Sequence, residues 1–339
     1  MTLWIINMLT ALIAFALAGV SGIVLVPFLH KLKFGQPIKT EDGPQWHAKK
    51  QGTPTMGGFM FIIASVVMSV IGYWVYSLKE PVSTKSFIRL ICLIAFSVLF
   101  GLIGFIDDFI KVTKKHNDGL TAMQKIGMQT VFSALFLIAL RWTGDSSTSF
   151  DLGFWVTPPL GVFYYIIIIV VIIYLTNAVN LTDGVDGLCG SVTFAAMLIF
   201  TIAASILRAD EVTMFTMALA GGCLGFLLWN LNPAKCFMGD TGSMYLGAAV
   251  TGVGLMLHKH LLLVLAAMVY ILEALSVVIQ VLYFKYTKKK YGEGRRIFKM
   301  TPIHHHFEMS GFSEYKIVIS FSLVGIIFGV AGIITLLVL

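Results

Sequence analysis

Apolar residues run through this chain in long blocks separated by short polar stretches. Crossing ~30 Å of hydrocarbon takes about 20 helical residues at ~1.5 Å each. Ten blocks reach or approach that length: roughly 3–29, 57–78, 87–106, 126–142, 160–177, 188–207, 214–231, 242–257, 261–284 and 316–338. The eighth is short and interrupted by Gly247, Gly252 and Gly254, so it is the weakest of them. The pattern predicts an all-α integral membrane protein of ten transmembrane helices, with residues 1–339 forming a single polytopic membrane domain.

Composition strengthens that expectation. Hydrophobic residues make up 58% of the chain and charged residues 12%, where soluble domains carry roughly a quarter charged. Positive residues are retained on the cytoplasmic side, and the stretches after odd-numbered spans hold 18 of the 24 Lys and Arg residues. Cytoplasmic loops are therefore expected at about 30–56, 107–125, 178–187, 232–241 and 285–315, with both termini extracytoplasmic. The first block has neither a basic n-region nor a small-residue cleavage site, so it reads as a retained helix rather than a removed signal peptide. The net charge of +7 sits mainly beside spans, which suits anionic lipid or an anionic substrate rather than nucleic acid. Cys92, Cys189, Cys223 and Cys236 have no paired spacing and read as structural thiols.

Polar residues gather on the expected cytoplasmic side. Asn177, Asn180, Asp183 and Asp186 recur every three residues after the apolar run 162–175, and such groups at the end of a span are too costly to be incidental. Asp107 and Asp108 stand where the third block stops, with Lys111 four residues after Asp107. Adjacent carboxylates at a helix C-terminus oppose its dipole, and a metal ion or phosphate chemistry would compensate. Lys125 opens the fourth span as an anchor or a phosphate partner. Residues 44–58, PQWHAKKQGTPTMGG, form a shaped turn; a plain basic loop explains Lys49 and Lys50 but not the GTPTMGG. Residues 229–243, WNLNPAKCFMGDTGS, add Asn230, Asn232 and Asp240.

In the ninth block Glu273, Ser276 and Gln280 share a helix face that should meet protein or a wet cavity. The outward loop 143–159 suggests no chemistry, and the basic half of the last cytoplasmic loop could simply satisfy topology and anionic lipid. His304, His305 and His306 are consecutive, so they point in different directions and make a poor zinc site; opposite several aspartates they could bind a diphosphate. Carboxylates without Cys or His metal spacing suggest a hard cation, Mg²⁺ with phosphate oxygens. Lys50, Lys111 and Lys125 would add neutralisation. Together these residues point to an enzyme at the cytoplasmic face that transfers a phosphoryl group onto a lipid.

The stretches GTPTMGG (52–58), DDFIK (107–111), NLTDGVDGL (180–188), FMGDTGS (237–243) and PIHHHFE (302–308) closely resemble the polyprenyl-phosphate N-acetylhexosamine-1-phosphate transferase superfamily. GTPTMGG together with PIHHHFE resembles its phospho-N-acetylmuramoyl-pentapeptide transferase branch, and the resemblance spans the whole chain. It implies a Mg²⁺-dependent phosphoglycosyl transferase of the bacterial inner membrane. UDP-N-acetylmuramoyl-pentapeptide would react with undecaprenyl phosphate to give lipid I and UMP, the first membrane step of peptidoglycan synthesis. By motif, the resemblance makes Asp240 the metal ligand and Asp107 and Asp108 the catalytic pair, with Lys111 near the phosphates. Lys50, Thr55, Asn180, Asp183, Asp186, Asn230 and Phe237 resemble a nucleoside pocket, Phe237 stacking on uracil. His304, His305 and His306 match a histidine motif beside the diphosphate. The ninth span resembles a bent helix beside a hydrophobic groove for the polyprenyl chain, and Gln280 a residue lining the pocket. A homodimer is also implied.

Two schemes fit this chemistry: direct attack by the lipid phosphate, or a covalent intermediate on Asp108. Two rival functions remain. A sister enzyme transferring N-acetylglucosamine-1-phosphate would share the fold and metal site. A cation-coupled transporter would want ionisable groups near the midplane, where only Glu273 qualifies.

Overall fold

A computed structural model describes residues 3–32, 50, 52–114 and 119–338. Residues 44–49 and 51 of the first basic motif, and 115–118 of the second predicted loop, lie outside the described residues. The described residues form twelve helices: α1 (Leu3–Lys31), α2 (Phe59–Ser77), α3 (Thr84–Lys114), α4 (Ala122–Trp142), α5 (Val162–Thr182), α6 (Leu188–Ile206), α7 (Asp210–Asn230), α8 (Gly239–Met256), α9 (His260–Ala266), α10 (Met268–Tyr291), α11 (Ile303–Glu308) and α12 (Glu314–Val338). Nine of these are long and apolar enough to cross a membrane.

The eighth expected span is α8, and it falls outside those nine for a physical reason. Every residue of α8 except Asp240 is buried, with α3 and α5 packed along it. A helix enclosed by other helices needs close approach more than lipid-facing bulk, hence its glycines and hydroxyls. The expected ninth span, 261–284, differs more: it is broken at Ala267 into α9 and α10, and α10 runs on to Tyr291. The short helix α11 was not expected within the last loop.

Around α8 the remaining helices pair, α1 with α7 and α2, α6 with α7, and α12 with α6 and α9. Large apolar side chains such as Val24, Met123 and Ile327 point outward, as lipid-facing positions do. Polar connections gather at both ends of the bundle. At one end Arg89 Nε donates to Glu211 (3.1 Å) and its Nη2 to the Met256 carbonyl (2.8 Å), while His258 pairs with Asp145 and Lys259 with Asp151. At the opposite end α3, α5 and α7 finish and α2, α4, α6, α8 and α12 begin. The unusual polar residues of the sequence meet there.

Candidate active site

The site depends on how closely α3 approaches α8. Gly101 and Gly104 lie on the α3 face against Asp240, Thr241 and Tyr245, and a Cβ on Gly104 would overlap the Asp240 carbonyl. Contact at backbone distance brings the end of α3 onto the start of α8. Asp108 then accepts hydrogen bonds from Asp240 N (3.2 Å), Thr241 N (2.9 Å) and Thr241 Oγ1 (2.7 Å), capping α8 from another helix. Orphan N–H groups and the positive dipole end both favour a carboxylate there. The unfavourable C-terminal position expected for Asp107 and Asp108 does not occur: α3 continues about two turns further, to Lys114.

Asp107 turns to the other side. Its Oδ1 accepts from Leu120 N (2.7 Å), and its Oδ2 meets Lys111 Nζ at 2.6 Å and Lys125 Nζ at 3.1 Å. The same ammonium groups reach Asp240 Oδ2 at 3.2 and 2.9 Å, while Asp240 Oδ1 accepts from Asn180 Nδ2 (3.0 Å). Lys125 is thus drawn inward rather than left as an anchor. One oxygen each from Asp107, Asp108 and Asp240 lie within 4.8 Å of one another. All-oxygen donors at that spacing fit a hard divalent cation.

Beside this cluster opens a polar cavity of about 250 Å³, walled by Lys50, Asn180, Asp183–Asp186, Asn230, Phe237, Asp240 and His305. Lys50 Nζ bridges Asp186 Oδ1 (2.7 Å) and Glu314 Oε2 (2.8 Å), and Glu314 also accepts from Asp186 N (3.0 Å). Asp186 Oδ2 accepts from Ala234 N (2.9 Å) and Asn232 Nδ2 (3.2 Å). Asn230 joins the two loops, accepting from Gly187 N (3.1 Å) and donating to the Cys236 carbonyl (2.9 Å). Phe237 is held by a short backbone ladder: its N donates to Pro54 O and its O accepts from Gly57 N, each at 2.8 Å. GTPTMGG and FMGDTGS are therefore two sides of one structure. Gly239, at φ +71°, lies where a Cβ would press on both Asp108 and Thr55. Burial, then the charges of Asp240, Asp108 and Asp186, push the Asp183 carboxyl well above the usual range.

Some expected residues face elsewhere. Asn177 donates to Gln129 Oε1 (3.1 Å) and to its own helix at the Ile173 carbonyl (2.7 Å), away from the cavity. Gln280 spends its amide on the loop after α10, accepting from Ile297 N (3.0 Å) and Phe298 N (3.1 Å) and donating to Phe298 O (3.0 Å). Thr55 is buried and does not line the cavity. The histidines part three ways: His304 is buried, His305 faces the cavity, and His306 accepts from Lys299 N beside Phe298 and Phe307. Sequence reasoning missed Thr241, Ser243, which accepts from Asn180 (2.7 Å), and Glu314. Thr241 and Ser243 stood within the FMGDTGS stretch; Glu314 sat between a loop and an apolar run with no local signal.

A second cavity, about 340 Å³ and almost wholly apolar, lies between α10, α11 and α12. Ile303 and Phe307 of α11 line it, while His305 of the same helix faces the polar cavity.

Comparison with known proteins agrees with this arrangement. The model of the family described as Glycosyl transferase family 4 matches residues 90–258. Three bacterial proteins named phospho-N-acetylmuramoyl-pentapeptide-transferase are similar along nearly the full length. The Listeria welshimeri protein is 42% identical over 319 residues, 94% of each chain. That of Clostridium botulinum is 44% identical over 332 residues, covering 96% of this chain and 95% of its own. That of Halalkalibacterium halodurans is 41% identical over 332 residues, 96% of each. With identity above 40% over more than nine-tenths of both chains, the chain belongs to the phospho-N-acetylmuramoyl-pentapeptide-transferase family.

Proposed function

We propose that the protein transfers phospho-N-acetylmuramoyl-pentapeptide from its UDP conjugate to undecaprenyl phosphate, giving lipid I and UMP. The family supports this reading, and one observation carries it: α11 borders a charged cavity through His305 and an apolar cavity through Ile303 and Phe307. A water-soluble nucleotide and a lipid need such a shared wall.

In this reading the polar cavity holds the nucleotide, with Phe237 against uracil and Asp183 on its edge, and the apolar one holds prenyl chain. Asp240, with Asp107 and Asp108, would hold Mg²⁺, which when bound offsets phosphate charge. Lys111 and Lys125 neutralise the diphosphate further, and His305 contacts it. The lipid phosphate, with a second pKa near 6, is mostly dianionic at neutral pH. It attacks the phosphorus next to the sugar, the bond to the UMP oxygen breaks, and UMP leaves as a phosphate monoester. Asp107 orients the attacking group. Direct attack is favoured over a covalent Asp108 intermediate because both Asp108 oxygens are engaged by α8.

The same reading makes α8 and the α9–α10 pair complete ten crossings. Both termini are then extracytoplasmic, the site faces the cytoplasm across the inner membrane, and the enzyme is a homodimer.

Purified protein in detergent, given undecaprenyl phosphate and either UDP-N-acetylmuramoyl-pentapeptide or UDP-N-acetylglucosamine, tests the assignment. UMP release with the first substrate is expected, needing no ion gradient; turnover of the second alone overturns it. Exchange of labelled UMP into the UDP-substrate without any lipid phosphate would overturn direct attack.

A further inference from the structure

We propose that Glu273 is a positioning residue of this active site, acting through His304 to seat α11 and the Asp183–Asp186 turn around the polar cavity. The inference rests on the transferase reading above. Glu273 lies on α10 shortly after the break at Ala267 and is fully buried, as is His304 on α11. Glu273 Oε2 lies 3.0 Å from His304 Nδ1. In the proposed arrangement Nδ1 donates its hydrogen to Oε2, which fixes the tautomer from the α10 side.

The opposite edge of the ring does the positioning. His304 Nε2 abuts Gly184, where a side chain would collide with it. Gly184 and its neighbours Asp183, Val185 and Asp186 all line the polar cavity. The His304 ring therefore fills the space behind the turn that carries the nucleotide-side carboxylates. Its own neighbour in sequence, His305, stacks edge-on against it with ring centroids 4.1 Å apart and faces the same cavity. Fixing one buried imidazole thus sets both the turn on one wall and the histidine on the other.

A carboxylate and an imidazole at zero exposure are costly to desolvate, and apolar residues of similar volume would often hold two helices together as well. Among the described residues, Glu273 Oε1 and His304 Nε2 meet no hydrogen-bond partner. A pair kept for adhesion alone would gain by satisfying them. A pair that fixes ring orientation needs only the contacts at Glu273 Oε2, to His304 Nδ1 and to His304 N.

The test uses the full-length protein in detergent with Glu273→Gln, Glu273→Leu, His304→Gln and the double variant Glu273→Leu/His304→Gln. Expected is kcat at least tenfold lower in Glu273→Leu at a melting temperature within a few degrees of wild type. The KM for undecaprenyl phosphate should be unchanged, Glu273→Gln should be intermediate, and the double variant no slower than His304→Gln. Nitrogen-15 histidine spectra, read without turnover, should show one signal of the Nδ1–H tautomer that vanishes in His304→Gln and shifts in Glu273→Leu. Wild-type kcat in folded Glu273→Leu, multiplicative losses in the double variant, or an unshifted signal overturns the proposal. If Glu273→Leu does not fold, Glu273→Gln decides by the same spectrum and kcat. No turnover by the wild type would instead defeat the transferase reading and leave the spectral test standing.

Discussion

Asp108 and Asp240 are both acidic and less than a turn-width apart, yet the fold uses them differently. Asp108 gives three of its roughly four acceptor sites to two N–H groups and the Thr241 hydroxyl at the start of α8, whereas Asp240 offers its oxygens to Lys111, Lys125 and Asn180. Replacing Asp108 by Asn keeps one carbonyl acceptor, so the capping loss should be about 1 kcal/mol. In the proposed reading turnover should nevertheless fall more than 100-fold, because the carboxylate cluster that would hold the cation loses one negative charge. Thermal unfolding and UMP release on one preparation separate these effects. Asp183 yields a pH prediction. With its carboxyl raised, the neutral form persists at pH values where an ordinary Asp is ionised. With the nucleotide in the polar cavity as proposed, rising pH then adds a negative charge beside it, so KM for the UDP-substrate should increase with pH. Asp183→Asn, which stays neutral, should flatten that profile, and Asp183→Leu should flatten it too, at a KM about tenfold above the wild-type value at low pH, as one lost hydrogen bond of ~1.4 kcal/mol implies.

At the scale of elements, the α3–α8 contact decides whether a site exists. Gly104→Ala puts a methyl group into the Asp240 carbonyl, so the helices must separate or slide. The carboxylates would then lose their common 4.8 Å grouping. Loss of at least tenfold in kcat is expected with the bundle still folded, together with weaker activation in a Mg²⁺ titration. Gly127, with nothing within 4 Å of its Cβ, should accept Ala freely and serves as the control. The elements also mark where the chain was legible. Apolar block length gave the helices to within a few residues, because hydrocarbon thickness sets that length directly. It misjudged the end of α3, since a helix can continue into water once its polar groups find partners, as Asp107 does with Lys111. It also missed the break at Ala267, where no proline or glycine announces a kink.

Across the whole molecule, the two polar ends do different work. The end away from the site is held by Arg89, which links α3 to Glu211 of α7 and to the last turn of α8, with Asp145 at 4.0 Å. Glu211 is buried, and removing the partner of a buried charge costs about 3–5 kcal/mol. Arg89→Leu should therefore lower the melting temperature by several degrees while leaving kcat and KM near wild type at low temperature. A large kcat loss at unchanged stability would mean that the two ends are coupled.

By itself the sequence determined that this chain is a bundle of membrane helices, and its spacing singled out the aspartates, asparagines and histidines as too expensive to be incidental. Those conclusions follow from local physics: desolvation penalises each polar group wherever the chain goes, and length must match the bilayer. The tertiary structure alone decided what each group does. Asn177 and Gln280 look like Asn180 and His305 in composition and setting, yet the first two hold protein and the second two line the cavity. Glu314 joins Lys50 from the far end of the chain, 264 positions away, and Asp108 serves a helix that begins 131 residues later. A hydrogen bond depends on direction and distance between parts remote in sequence, and only packing of glycines such as Gly104 against α8 sets them.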